Sequence, residues 1–294
     1  MLQEPLEVYR SRRYADCAER AFMLTAVGIA SDLTHESGGY VVLWVESADL
    51  EPARTHLARY QAENRPPPPP PPPPQLHPQA WVGSAAYVLV LLGVAVLVSR
   101  GFVRLDAFEA GELDAEQVQR GEWWRAWTAL TLHFDLAHLT ANLGAGAWFG
   151  WVAGRLLGSG LAWVLAVSAA AAANLIEALL EQPGYHSAGA STAVFAILGL
   201  TAAYAWRERY SPSQRWALRW APLVAGVVLL GWTGTAGEHT DVFAHLAGFA
   251  CGAALGALAA LKALRAQLSR VPQWLAGLAA LGSIALAWGR ALLA

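Results

Sequence analysis

Seven uncharged, mainly apolar stretches follow one another beyond residue 80: 81–99, 136–154, 156–176, 182–206, 220–237, 242–261 and 271–289. Each is close to the roughly 20 residues that an α-helix needs to cross about 30 Å of hydrocarbon. Lipid admits only helices or closed barrels, because no water is there to satisfy a bare backbone group. The lengths select helices. One such stretch could be a buried helix of a water-soluble protein, but seven in succession could not. The sequence therefore predicts an all-α polytopic membrane protein, a six-helix bundle with a seventh, alanine-rich helix at its carboxyl end. Charge agrees: 14% of the 294 residues are charged, against about 25% in soluble domains.

The charges that exist are unevenly placed. Residues 1–65 are rich in them and read as a small cytosolic α/β domain. "LEVYRS" is a strand, "RRYADCAERAFMLTAVG" has helical spacing, and "IASDL" and "YVVLWVES" are strands around a "HESGG" turn. "DLEPARTHLARYQAE" begins with an aspartate cap and a first-turn proline, both helix-start signals. The order β-α-β-β-α suits part of a ferredoxin-like layout. Nine prolines at 66–74 begin the 66–80 linker. As a polyproline helix they would act as a stiff spacer of roughly 28 Å. The membrane domain is then 81–270, with 271–294 as the seventh span.

Basic residues set the orientation. Arg155, Arg207, Arg209, Arg215, Arg219, Lys262, Arg265 and Arg270 fall in loops on one face, whereas Glu177, Glu181, Glu238 and Asp241 fall on the other. The positive-inside tendency places the amino-terminal domain and the 207–219 loop in the cytoplasm. Arg100, Arg104, Arg120 and Arg125 in the long 100–125 loop oppose this weakly. The first 22 residues lack the apolar core of a cleavable signal, so the first span is expected to direct insertion. Cys17 and Cys251 fall in separate compartments and form no disulfide framework.

Polar groups inside the apolar stretches are costly and point to function. His138 and Asn142 lie four apart in "HFDLAHLTANLGAG" and share a helix face. They are either interhelical polar glue or paired donors aimed at a developing negative charge. In "DVFAHLAGFACGAALG", Gly248, Gly252 and Gly256 recur every fourth residue and give one bare face for a close helix contact. His245 sits one turn before Gly248 on that face. In "YHSAGASTAVFAILGL", Ser191 stands at the start of a span behind Gly189 and Ala190, which leave room for a peptide carbonyl. A serine hydroxyl is a poor nucleophile until an imidazole takes its proton, and backbone N–H groups at a helix start favour an oxyanion. With no carboxylate on these helices near the pair, a Ser191–His245 dyad is expected. No H-E-x-x-H or similar ligand spacing occurs, so neither a metal nor another cofactor is expected.

From about 100 to 261 the chain resembles the rhomboid intramembrane serine proteases. The resemblance rests on "EWWR" (122–125), "HFDLAHLTANL" (133–143), "AGAS" (188–191) and "AHLAGFACG" (244–252), in order and on the proper spans. It implies Ser191 as nucleophile, His245 as general base and then acid, and His138 and Asn142 with the Ser191 N–H around the oxyanion. Gly189 opens the motif around the serine, Trp124 and Arg125 pin a half-submerged outer hairpin, and His133 matches a further family histidine. Gly248 and Gly252 belong to the close helix contact. Three positions depart from the family: Thr192 and Phe195 stand where glycine and tyrosine are usual, and Gly154 where an acid is frequent. Partners implied are the lipid bilayer and single-span membrane-protein substrates, in a bacterial inner membrane, with no nucleic acid. Two other classes would leave different marks in the sequence. A catalytically inactive rhomboid-like protein that binds transmembrane helices would usually have lost the serine or the histidine. A transporter would show paired, broken halves, and no such symmetry is present.

Overall fold

The computed structural model describes residues 4–64, 76–100, 107–208, 216–233 and 241–294. The prolines at 66–74, and Arg104, Arg209, Arg215 and Glu238 of the loops, lie outside the described residues. Contacts divide the chain into Met1–Pro72 and Pro73–Ala294.

In the first unit, β1 (Leu6–Ser11), α1 (Tyr14–Ala26), β2 (Ser31–Glu36), β3 (Tyr40–Val45) and α2 (Leu50–Glu63) follow in order. The sheet is antiparallel with order β1-β3-β2. As the central strand, β3 buries Val41, Val42, Leu43 and Val45, and Leu43 and Val45 pack with Leu24 of α1 and Ala53 of α2. The β2–β3 hairpin turns through Gly38 and Gly39, both left-handed at φ 85° and 77°, where a Cβ would clash with the backbone. The expected aspartate cap is corrected. A 3₁₀ turn at Ser47–Asp49 runs straight into α2, and the Asp49 side chain makes no capping bond.

The second unit opens with α3 (Trp81–Ser99). It continues through the short elements α4 (Ala107–Gly111), β4 (Leu113–Asp114), α5 (Ala115–Gln119) and α6 (Arg125–Thr128). Next come α7 (Leu136–Leu157), α8 (Ser159–Leu180), β5 (His186–Ser187), α9 (Ser191–Glu208), α10 (Trp216–Thr233), α11 (Val242–Ala259), α12 (Lys262–Leu268) and α13 (Gln273–Ala291). By length and composition α3, α8, α11 and α13 can each cross a membrane, and α3 and α13 turn Leu89 and Leu286 outward. This is an integral membrane protein.

Two of the remaining long helices carry polar side chains at the site. α7 carries His138, Thr140 and Asn142, and α9 begins with Ser191 and Thr192. Polar side chains are costly against lipid, and α9 is sheathed by α7, α8, α10 and α11. Its residues Thr192–Leu200 are buried without a break.

Span boundaries differ from the sequence reading, α10 beginning four residues earlier than expected, and two of the differences bear on the site. α7 does not stop at Arg155, whose guanidinium lies 5.1 Å from the centre of the Trp151 ring one turn back. The break comes at Gly158, at φ 89°. The Gln273 side chain at the start of α13 bridges that turn, accepting from Leu161 N at 3.0 Å and donating to Leu157 O at 3.3 Å. The fourth stretch becomes helical only at Ser191. Residues 182–190 form a loop whose strand β5 pairs with β4, Leu113 opposite Ser187 and Asp114 opposite His186.

Candidate active site

The bare glycine face of α11 lies directly on the backbone of α9. A Cβ on Gly248 would meet Thr192 O, one on Gly252 would meet Ala196 O, and one on Gly256 would meet Leu200 O. Gly199 of α9 is pressed in turn against Phe249 and Ala253 of α11. The pairing rises along both chains together, so the two helices run parallel and begin at the same end. Ser191 and His245 occupy that shared end. Phe195 lies one turn below Ser191 on the same face of α9, and its ring packs on the His245 imidazole with centroids 4.3 Å apart. His245 is 7% exposed. Asp241 fixes the start of α11, its carboxylate accepting from Ala244 N at 2.9 Å and its carbonyl from His245 N at 3.2 Å.

The second wall comes from α7. The Asp135 side chain caps this helix by accepting from His138 N at 2.7 Å. His138 then leans over Gly189. A Cβ at Gly189 would lie 2.7 Å from His138 Cε1, 3.0 Å from its Nε2 and 3.4 Å from Ser191 Oγ. Only glycine leaves that space open. Asn142, one turn further along α7, is 5% exposed, and its Nδ2 is buried without a hydrogen-bond partner. An unpaired buried amide donor costs about 1–3 kcal/mol unless something accepts from it. Its backbone is braced from α3, where Tyr87 donates to Asn142 O at 2.8 Å and stacks on Trp163 at 4.6 Å.

The loop before Ser191 is tied down from the opposite side. Gly189 N donates to Ala129 O at 3.0 Å, and Ala190 N to His133 Nε2 at 3.4 Å. Burial, with His138 beside it, pushes the His133 imidazole down to about 4. At neutral pH it is therefore uncharged and able to accept. His133 thus holds the backbone just ahead of the serine, a role that sequence spacing did not single out. Its ring meets that of His138 edge-on at 5.1 Å.

Trp124 and Arg125 organise the outer segment. Arg125 is 8% exposed and donates to Glu122 Oε2 at 2.6 Å, to Glu109 O at 2.7 Å and to Glu112 O at 3.1 Å. It is a buried clamp on the end of α4, not a side chain reaching for headgroups. Trp124 packs with Ala287 and Ala291 of α13, and Arg290 lies over its ring at 5.4 Å. Replacing Arg125 by alanine would strand two carbonyls and Glu122. Charge-assisted bonds of this kind contribute about 1.5–3 kcal/mol each, so a clear drop in the thermal unfolding midpoint in detergent is the expected result.

The three departures also find their places. Thr192 is 4% exposed and turns its carbonyl and methyl toward Gly248, away from solvent. Phe195 keeps the stacking on His245 that a ring provides. Gly154 has Ala80 against it, with Ala80 O 3.1 Å from where a Cβ would be, so no acidic side chain fits.

The second unit is thus a helical membrane domain with a serine and a histidine at one end of two parallel, glycine-packed helices. The Rhomboid domain family model matches residues 120–262, just under half of the chain, and this match supports a place in the rhomboid family. Over 89 residues the chain is 38% identical to the rhomboid protease GluP of Bacillus subtilis (strain 168), a match that covers 30% of this chain and 17% of that protein.

Proposed function

We propose that this protein is an intramembrane serine endopeptidase that cleaves single-span membrane proteins within or beside the bilayer. The observation that carries the reading is the convergence of Ser191 Oγ and the His138 imidazole on the bare face of Gly189. That space suits a peptide carbonyl. His245 takes the Ser191 proton as the hydroxyl attacks the carbonyl carbon, and later returns it to the leaving amine. The negative charge that develops on the carbonyl oxygen is met by His138, the orphaned Asn142 amide and the Ser191 N–H at the start of α9. Water enters at this helix end rather than through the buried lower turns of α9. Substrates open most readily where small, helix-destabilising residues expose the backbone. The basic loops favour a cytoplasmic amino-terminal unit in a bacterial inner membrane.

Cleavage of a single-span reporter in proteoliposomes tests this, comparing wild type with Ser191→Ala. Cleavage by wild type alone supports the reading. Equal processing by both, or by neither across a panel of reporters, sinks it in favour of an inactive helix-binding relative. Asn142→Ala is expected to lower turnover by about 10²–10³-fold with an unchanged unfolding midpoint. Equal loss of stability and activity would make Asn142 a structural residue.

A further inference from the structure

A hydrogen-bonded chain of side chains runs next to the site. Glu177, near the end of α8, is 0% exposed. Its Oε1 faces the Tyr185 hydroxyl at 3.1 Å, and its Oε2 has no partner. The same hydroxyl makes a short contact with Oδ2 of Asp241. The other Asp241 oxygen caps Ala244 N, and its carbonyl takes His245 N. Tyr185 is itself anchored, since its carbonyl accepts from Ala115 N at 3.1 Å.

Counting hydrogens shows what this arrangement needs. A phenol brings one donor and a carboxylate none, so two carboxylates cannot both be satisfied by one hydroxyl. An unsatisfied oxygen pair in a dry interior is costly. The cluster closes only if a second hydrogen is present. A carboxylic acid then donates to the Tyr185 oxygen while Tyr185 donates to the other carboxylate. Burial and the adjoining carboxylates push the Tyr185 hydroxyl up, so it keeps its own hydrogen.

We infer that Glu177 and Tyr185 are positioning residues for the proposed proteolysis, holding Asp241 so that the first turn of α11 presents His245 to Ser191. The inference rests on the protease reading, but its mechanical part does not. Glu177 and Tyr185 touch neither substrate nor the reacting atoms. They act through the cap of a helix whose fourth residue is the proposed base. α8 is among the helices packed most closely against α11, so the link joins two elements that already share a core.

Two readouts on the full chain in detergent test it. The first is amide hydrogen exchange of the 242–246 segment, which needs no activity. The second is the rate of labelling by a fluorophosphonate. Tyr185→Phe and Glu177→Leu should speed exchange in that segment by about tenfold or more and slow labelling comparably, with the unfolding midpoint held. Glu177→Gln should restore both to near wild-type values, because its amide supplies the missing donor to the Tyr185 oxygen. Wild-type exchange in Tyr185→Phe and Glu177→Leu overturns the inference. So does Glu177→Gln behaving like Glu177→Leu. Failure of wild type itself to label would count against the protease reading, while the exchange data would still decide whether Asp241 is held this way.

Discussion

Replacing His245 by alanine is expected to remove peptide hydrolysis, by about 10⁴-fold or more, while the protein remains folded. Removing one member of a nucleophile–base unit commonly costs nearly as much as removing the unit, because a serine with no base has almost no alkoxide character at neutral pH. Folding should suffer little. The imidazole packs on the Phe195 ring, and an aromatic pair contributes about 0.5–1.5 kcal/mol beyond its buried area. Activity assayed beside a thermal melt separates the two effects. A variant that hydrolyses within tenfold of wild type would remove His245 from the mechanism. A variant that loses activity only because it unfolds would show that the histidine is a packing residue.

Gly252→Leu is expected to have the largest effect on stability. At Gly252 a Cβ would run into the Ala196 carbonyl, which is backbone and cannot rotate away. Overpacking a tight contact costs typically 1–3 kcal/mol, and here the two helices must separate along their whole seam, so about 3 kcal/mol or more is expected. Because the same seam brings Ser191 and His245 to one end of the helix pair, fluorophosphonate labelling should fall together with the unfolding midpoint. Gly282→Leu on α13 is the control, since nothing lies within 4 Å of a Cβ there. It should leave both measurements unchanged. A Gly252→Leu protein with a wild-type midpoint would contradict the direct backbone packing of α9 on α11.

The parts of this fold that were legible in the sequence are those where one physical demand repeats. Lipid asks every span for some twenty apolar residues, and among the described residues α3, α8, α11 and α13 meet that demand. The four-residue glycine spacing at 248, 252 and 256 announced a backbone-to-backbone contact, and His245 in phase with it pointed to the end where the contact meets Ser191. His138 and Asn142 could be placed on one face by their spacing alone. What stayed hidden depended on partners far away in the chain. Glu177 and Asp241 read as outer-loop acids, because nothing local reveals that Tyr185 joins them. Arg125 read as a pin of the outer hairpin, and its carbonyl partners at 109 and 112 were out of reach because they lie 13 to 16 residues upstream. Asp49 was misread for a local reason: capping needs an extended backbone at the cap residue, and the 3₁₀ turn takes that conformation away. Arg155 misled because a charge was taken as the end of a helix, when an arginine can lie along an aromatic neighbour and let the helix continue.

At the centre stands one hydroxyl, made reactive by what surrounds it. The most direct measurement is the site of covalent attachment after the full-length protein reacts with a fluorophosphonate, read by peptide mass spectrometry. Adduct confined to the Ser191 side chain, and absent when His245 is alanine, is the outcome this account requires. Adduct on another residue, or adduct on Ser191 that forms as fast without His245, would contradict it.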